Sequence, residues 1–185
     1  MTIIMIDAGH GPNTPGKQSP DGVLREFNFN NSVAEMIKRL LFENEMTVIF
    51  AHELGRDVPL VERNALANKM NVDAFISIHA NAYGPDWNGV SGIETFLYPT
   101  ASKESAALAS LLQSSLIAAC NRTDRGVKKA DFAVLRDTKM PAVLIECGFM
   151  TNREEATLLL KKDYRLQCAK AIAFAISAWL YRGKK

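Results

Sequence analysis

The stretch Ala-Phe-Ile-Ser-Ile-His-Ala-Asn, residues 74–81, is the segment from which the fold can be predicted. It is a nearly continuous apolar run with turn-forming residues on both sides, which is typical of a short strand buried on both faces. In open α/β sheets, functional side chains gather at the carboxyl ends of such strands. His79 lies near that end, so the segment predicts both a buried parallel strand and a first candidate functional residue.

Two other apolar runs end in the same way. The strand predicted over residues 2–7 leads into a glycine-rich turn that contains His10. The run Pro-Ala-Val-Leu-Ile-Glu-Cys-Gly, residues 141–148, ends with Glu146, and burying a carboxylate at the tip of a strand requires a reason. Because parallel strands end at a common edge of the sheet, we expect His10, His79 and Glu146 to lie close together.

The remaining pattern alternates helices with strands, which predicts an α/β fold. We expect a single domain with a mainly parallel, twisted sheet of about six strands, covered by helices on both faces. Apolar periodicity predicts helices over residues 26–43, 59–69, 103–119 and 163–181, and strands over residues 47–50, 92–97 and 133–135. Thr151 and Glu154 predict a capping box for a further short helix.

Composition excludes several classes of protein. The 185 residues, 48% hydrophobic and 23% charged, are sufficient for one globular domain with a full core. A net charge of +2 is too small to indicate a nucleic-acid partner. The cysteines, Cys120, Cys147 and Cys168, lack metal-type spacing and are odd in number, so we expect small buried apolar groups in a protein made in a reducing compartment.

The polar residues at the strand ends match the chemistry of a metal site. Glu26 follows the loop that starts beside His10, so two imidazoles and two carboxylates can meet in one cleft. A catalytic zinc site needs three protein ligands and an open fourth position, and two histidines with one glutamate are an established set. The remaining carboxylate can then act as a general base.

The chain resembles the catalytic domain of the zinc-dependent N-acetylmuramoyl-L-alanine amidases, the Amidase_3 family. Besides Glu26, the segments that carry the resemblance are residues 6–11, 60–68, 77–81, 92–96, 125–128 and 141–152. The resemblance implies that His10, Glu26 and His79 bind Zn²⁺ and that Glu146 is the general base and acid. It also implies cleavage of the amide between N-acetylmuramic acid and the L-alanine of the peptide stem in peptidoglycan. The place of Glu26 depends on this resemblance more than on spacing.

Two other functions remain as alternatives. Residues 11–17, Gly-Pro-Asn-Thr-Pro-Gly-Lys, satisfy the first part of a phosphate-binding loop and suggest a nucleotide-binding protein. Against this, Gln18 replaces the Ser or Thr that holds magnesium, and the prolines oppose the helix that should begin at Lys17. The other alternative is a non-catalytic, metal-stabilised module that binds the cell wall.

Several further residues require an interpretation. Glu94 is a rival carboxylate, but its place inside a strand predicts a structural hydrogen-bonded pair. Strand alternation directs Cys147 away from Glu146. His52 begins His-Glu-x-x without the second histidine of a metalloprotease motif, since Arg56 stands in its place, and we expect a surface loop there. Many family members have a Thr-Arg pair where this chain has residues 51–52, so we expect the arginine's role to be missing or passed to Arg56.

The biological setting is predicted only in outline. We expect a monomer that is made in the cytoplasm without a signal peptide or transmembrane segment and acts on the cell wall after release or lysis, as a phage or prophage endolysin does. Residues 1–181 are expected to form the catalytic domain. Residues 182–185 are expected to begin a linker or tail, which is compatible with a C-terminal wall-binding domain in the full gene product. The short loop over residues 83–91 predicts an open cleft without an inhibitory plug.

Overall fold

A computed structural model describes residues 2–14, 16–42 and 46–182 of the chain. Within these residues the strands are β1 Ile3–Ala8, β2 Thr47–Phe50, β3 Ala74–Asn81, β4 Ile93–Leu97, β5 Asp124–Lys129 and β6 Ala142–Phe149. The helices are α1 Glu26–Phe42, α2 Leu60–Met70, α3 Lys103–Cys120, α4 Ala133–Arg136, α5 Arg153–Leu160 and α6 Lys162–Arg182.

The strands form one six-stranded sheet in the order β2-β1-β3-β6-β4-β5. All neighbours are parallel except β4 and β6, which run antiparallel. The larger part of the core lies between the sheet and helices α1, α3 and α6, and a second cluster packs under α2 and α4 on the opposite face. The predicted fold class is therefore confirmed, and the carboxyl ends of β1, β3 and β6 are adjacent at the centre of the sheet.

Alternation along β3 divides its side chains between the two faces. Ile76 and Ile78 belong to the core under α1, α3 and α6, whereas Phe75 belongs to the cluster under α2 and α4. Ser77 and His79 share the face of Phe75 because successive strand residues point to opposite sides. His79 is the Cα partner of Glu146 on β6, so both side chains emerge on the α2 and α4 side.

The strand predicted over residues 133–135 is wrong, because these residues begin the short helix α4. Three apolar residues are too few to distinguish a helical turn from a strand by periodicity. The sixth strand is instead β5, Asp-Arg-Gly-Val-Lys-Lys, which forms an edge of the sheet. Charged residues are usual on edge strands because they discourage pairing with another chain, and they also hide the apolar alternation that reveals a strand.

The cap predicted for helix α5 is shifted by one residue. Asn152 caps the helix, and its Oδ1 accepts hydrogen bonds from the backbone N–H groups of Glu154 at 3.0 Å and Glu155 at 3.1 Å. The Thr151 hydroxyl instead accepts a hydrogen bond from Tyr83 N at 3.0 Å and ties the loop after β3 to the end of β6.

Helices α1 and α6 each end at the last described residue before a gap or the end of the described chain. Helix α1 is described to Phe42, and residue 43, the predicted end, lies outside the described residues. Helix α6 continues to Arg182, and the remaining residues of the predicted tail, 183–185, also lie outside them. Among the helices described, none combines the length and apolar character needed to cross a membrane.

Candidate metal centre and active site

His10, Glu26 and His79 meet at the carboxyl ends of β1 and β3. Glu26 lies between the imidazoles, with its Oε2 3.0 Å from His10 Nε2 and its Oε1 2.8 Å from His79 Nδ1. One potential ligand atom from each residue lies within 4.8 Å of the others. The two imidazole nitrogens and one carboxylate oxygen form a donor set that suits zinc and leaves a coordination position open.

The turn after β1 brings His10 into this position. His10 has a φ of 66°, in the left-handed region that few residues other than glycine adopt. Gly9 is required beside it, because a Cβ at that position would lie 2.1 Å from His79 Cε1. The turn is fixed from below by Asn30, whose Nδ2 donates a hydrogen bond to Gly9 O at 3.1 Å.

Glu26 is the first residue of α1, and its side chain is almost completely buried, with 2% exposed. The N–H of Lys17 donates to Glu26 Oε2 at 3.1 Å, which ties the loop before α1 to the carboxylate. Burial alone raises the pKa of Glu26, but hydrogen bonds from His10 and His79 outweigh this effect and hold the pKa well below its usual range. Glu26 is therefore an anion, the form that binds a metal.

A buried chain of hydrogen bonds supports His79 from behind. His79 Nε2 lies 3.1 Å from Ser77 Oγ, and the Ser77 hydroxyl donates to Asp7 Oδ2 at 2.6 Å. Arg63 Nη1 donates to Asp7 Oδ1 at 2.6 Å and to Ala8 O at 2.8 Å. With Nε2 bonded in this way, Nδ1 of His79 remains directed at Glu26, and metal-binding histidines are commonly oriented by such contacts.

Glu146 completes the group of polar residues from β6. Within the described part of the chain, its buried Oε2 has no hydrogen-bond partner. Burial raises the pKa of Glu146 well above its ordinary value, and the negative charge of Glu26 adds to this effect, whereas Lys17 opposes it. A carboxylate in this environment accepts a proton more readily than a solvated one, as a general base must do.

These four residues line one cavity of about 760 Å³. Lys17 and Asn81 lie on its polar side. Its apolar lining is formed by Val58, Leu60, Phe96, Phe132, Val134 and Leu144. The volume is within the range of about 300–1,000 Å³ that is usual for small-molecule sites.

Residues 4–178 match the model of the Amidase_3 family, described as N-acetylmuramoyl-L-alanine amidase. The chain belongs to this family of peptidoglycan hydrolases. The amidase CwlM of Bacillus licheniformis is 32% identical over 94% of this chain and 66% of its own length. The endolysin of Bacillus phage SPP1 is 31% identical over 99% of this chain and 68% of its own length. The chain therefore spans about two thirds of these curated relatives.

Solved amidase structures share the whole fold. An N-acetylmuramoyl-L-alanine amidase from Clostridium difficile 630 superposes with a TM-score of 0.91 at 32% identity, covering 97% of this chain and 96% of that chain. The catalytic domain of CwlV from Bacillus (Paenibacillus) polymyxa gives a TM-score of 0.90 at 31% identity, covering 97% of this chain and 98% of that chain.

In this amidase, the segment that resembles a phosphate-binding loop has another structure. The described residues between β1 and α1 form turns and bends rather than a helix beginning at Lys17. Lys17 Nζ donates to Asn81 Oδ1 and to Ala82 O, both at 3.2 Å. The loop therefore closes one side of the amidase cavity.

The surface position predicted for His52 is wrong. His52 is 5% exposed, and its Nδ1 accepts a hydrogen bond from Ala8 N at 3.0 Å. Its Nε2 then donates to Asn31 Oδ1 at 3.1 Å, and burial lowers the pKa of His52 to about 4. His52 is thus a neutral structural residue that joins β1 to α1. Arg56 instead forms ion pairs with Glu53 and Glu62 at the surface, each at 2.8 Å.

The structural roles predicted for Glu94, a hydrogen-bonded pair, and for the cysteines, small buried groups, fit the amidase structure. Glu94 is buried and pairs with Arg125 at 2.8 Å and with Lys128. The three cysteines are free and buried, and Cys147 lies in the core on the face opposite Glu146.

Sequence patterns did not assign Arg63 or Lys17 a role at this site. Arg63 is 3% exposed although it lies on a helix with exposed neighbours. The available signal for Arg63 was its place within residues 60–68, one of the segments that carry the family resemblance. Lys17, six residues after Gly11, had no comparable signal, because its partners Asn81 and Ala82 are distant in sequence.

Proposed function

We propose that this chain is a zinc-dependent amidase domain that hydrolyses the amide between N-acetylmuramic acid and L-alanine in peptidoglycan. The observation that supports this most directly is the convergence of His10, Glu26 and His79 within 4.8 Å, beside an unpaired Glu146 oxygen in the same cavity. In this proposal the first three residues hold the metal and Glu146 is the catalytic residue.

The proposed mechanism uses Glu146 to move one proton. His10, Glu26 and His79 would hold a zinc ion, which would supply Lewis-acid chemistry for polarising the scissile carbonyl and lowering the pKa of water. Glu146 takes the proton of the attacking water at its unpaired oxygen and delivers it to the leaving amine of L-alanine. The apolar wall around Phe96 and Phe132 limits the access of bulk water to these charges. The hydrogen bond that His79 Nε2 donates to Ser77 Oγ keeps His79 in one orientation.

We further propose that the cleft is permanently open and that the domain acts as a monomer on walls reached after release or lysis. The cavity is lined by residues outside the loop 83–91, so this loop is not a plug. Purified protein should therefore degrade walls without an activator protein. A requirement for such a protein would contradict this part of the proposal.

The function is tested by digesting purified cell walls and identifying the new ends by mass spectrometry. We expect free amino groups on L-alanine, loss of activity with a chelator, and recovery on adding zinc. Release of other ends would identify a different bond. Binding to walls without release of stem peptides would support the non-catalytic module instead.

The ligand set is tested separately from the activity. We expect His79→Ala to lower the zinc content of the purified protein, measured by elemental analysis. Cys147→Ser, which changes a buried residue on the opposite face, is the matched control and should keep its zinc. Stoichiometric zinc in His79→Ala would show that the proposed ligands are wrong.

A further inference from the structure

Lys17 places an ammonium group on the polar wall of the cavity without a carboxylate partner. Its Nζ donates to two neutral oxygens, Asn81 Oδ1 and Ala82 O. Within residues 2–14, 16–42 and 46–182, no carboxylate oxygen lies within ion-pair distance of this atom. The cations on the edge strand β5 differ, since Arg125 and Lys128 are both paired with Glu94.

A network behind the ammonium fixes its position. Asn81 Nδ2 donates to Glu94 Oε1 at 2.9 Å, so Asn81 Oδ1 is turned towards Lys17. The same oxygen accepts a hydrogen bond from Ala82 N at 2.8 Å. An ammonium has three N–H donors, and Lys17 uses two of them on these partners. One N–H donor, on a cation with no ion-pair partner among the described residues, therefore remains for a ligand in the cavity.

The backbone of the same residue is tied to the candidate metal centre. Lys17 N donates to Glu26 Oε2, while its side chain reaches Asn81, two residues beyond His79 on β3. Lys17 thus links the candidate metal ligand Glu26 to Asn81 in the lining of the same cavity. A substrate whose scissile amide lies at the metal centre would present its neighbouring groups to this ammonium.

The substrate of the proposed function carries a suitable anion there. In the peptide stem, L-alanine is followed by a D-glutamate that continues the chain through its side-chain carboxyl. Its α-carboxyl group is therefore either a free carboxylate or an amide. A fixed ammonium binds the carboxylate through a charge-assisted hydrogen bond and gains much less from the neutral amide.

We propose that Lys17 is a specificity-determining residue that binds the free α-carboxylate of the second stem residue, so that the enzyme favours stems in which this group is not amidated. The proposal rests on the proposed function, because it takes the scissile amide to be the one before L-alanine. A carboxylate at the end of the stem offers the same chemistry, and the substrates of the test distinguish the two.

The test uses the zinc-loaded protein and three muramoyl tripeptides. The first has a free α-carboxylate and an amidated terminus, the second has the reverse, and the third has both groups amidated. We expect wild-type kcat/KM to be about tenfold higher for the first than for the other two, mainly through KM, as one charge-assisted hydrogen bond implies. In Lys17→Met this preference should disappear, because kcat/KM for the first tripeptide falls to the level of the other two.

Two variants control the measurement. Lys17→Arg keeps the charge and should keep the preference, whereas Lys170→Met removes an exposed lysine on α6 and should change nothing. A preference for the second tripeptide that depends on Lys17 would overturn the assignment to the α-carboxylate. Equal losses on all three tripeptides, or a loss of zinc in Lys17→Met, would overturn the specificity role.

The outcome also separates this inference from the proposed function. If the wild-type protein cleaves none of the tripeptides at the amide before L-alanine, the proposed function fails. If it cleaves all three at equal rates, the proposed function stands and the role of Lys17 is rejected.

Discussion

Glu146 and Glu94 are Cα partners on the neighbouring strands β6 and β4, yet their surroundings are opposite. Glu94 has ion pairs with Arg125 and Lys128 and accepts a hydrogen bond from Asn81. Burial alone raises the pKa of Glu94, but the hydrogen bonds from these two cations lower it below its ordinary value. Glu146 has an oxygen without a partner within the described residues, and its pKa is raised.

The difference shows which carboxylate holds the structure and which is free to react. An uncompensated buried carboxylate is costly. Lys17 only opposes the rise in the pKa of Glu146, and the cations Arg125 and Lys128 lie on β5, on the far side of β4 from Glu146. The chain places both of them on Glu94.

Glu146→Gln should reduce kcat by about 10²–10⁴-fold, because the amide cannot take the proton of the attacking water. The zinc content should not change, since Glu146 is not a proposed ligand. The melting temperature of the zinc-free variant should equal or exceed that of the wild type, because an uncompensated carboxylate has been removed. Kinetics, elemental analysis and calorimetry measure the three effects. A fully active variant would disprove the role of Glu146, and a zinc-free one would make it a ligand.

His52, like Glu146, is a buried titratable group whose neutral form is favoured by burial. Its pKa falls from 6.5 to about 4 on folding, so between these values the unfolded state binds more protons than the folded state. The contribution of neutral His52 to the free energy of unfolding is therefore complete above pH 6.5 and is lost as the pH falls towards 4. Its total is on the order of 3 kcal/mol.

The measurement compares denaturant unfolding of the zinc-free wild type and His52→Gln at pH 7 and pH 4. Glutamine does not titrate, so the free energy of unfolding of the variant should fall less between the two pH values. The difference between the proteins isolates His52 from the histidines of the metal centre. Equal pH dependence would mean that His52 is protonated in the folded protein.

Ser77 belongs with the residues that hold others in place. Ser77→Ala removes the partner of His79 Nε2 and should lower zinc affinity by about 10–100-fold while the fold is kept. Competition with a metal-binding dye measures the affinity. The control Thr95→Val removes another fully buried hydroxyl, which donates to Gln113 at 2.8 Å away from the centre. Equal zinc affinities in the two variants would contradict the supporting role of Ser77.

Glu94→Gln should have the smallest effect. Arg125 and Lys128 are 32% and 39% exposed, so both can turn to solvent, and we expect a loss of about 1 kcal/mol in stability. Activity should fall less than about tenfold, since a glutamine oxygen can still accept from Asn81. If the variant were as inactive as Glu146→Gln, the distinction between the two carboxylates would be lost.

The sequence predicted the parts of this site that follow from strand ends. His10, His79 and Glu146 each follow or end an apolar run, and parallel strands bring such ends together. Glu26 was assigned only through the family resemblance, because its position depends on how the loop between β1 and α1 folds.

Other features escaped prediction because their partners are remote in sequence or their patterns are ambiguous. Arg63 meets Asp7 across 56 positions, and His52 meets Ala8 across 44, so no local spacing reveals either burial. Strand β5 has charges where a buried strand has apolar residues, and the short apolar segment after it was mistaken for the strand. Edge position and tertiary contacts determined these structures.

The pairing of His79 with Glu146 across β3 and β6 makes the active site sensitive to the length of the chain as well as to its residues. Side chains alternate with a period of two, so one residue inserted into β6 ahead of Glu146 would turn this carboxylate into the core beneath α1, α3 and α6. All four polar residues would still be present in the sequence. An alignment that scores only the presence of these residues would then count an inactive protein as intact. Functional relatives are better recognised by the number of residues between each polar residue and the start of its strand.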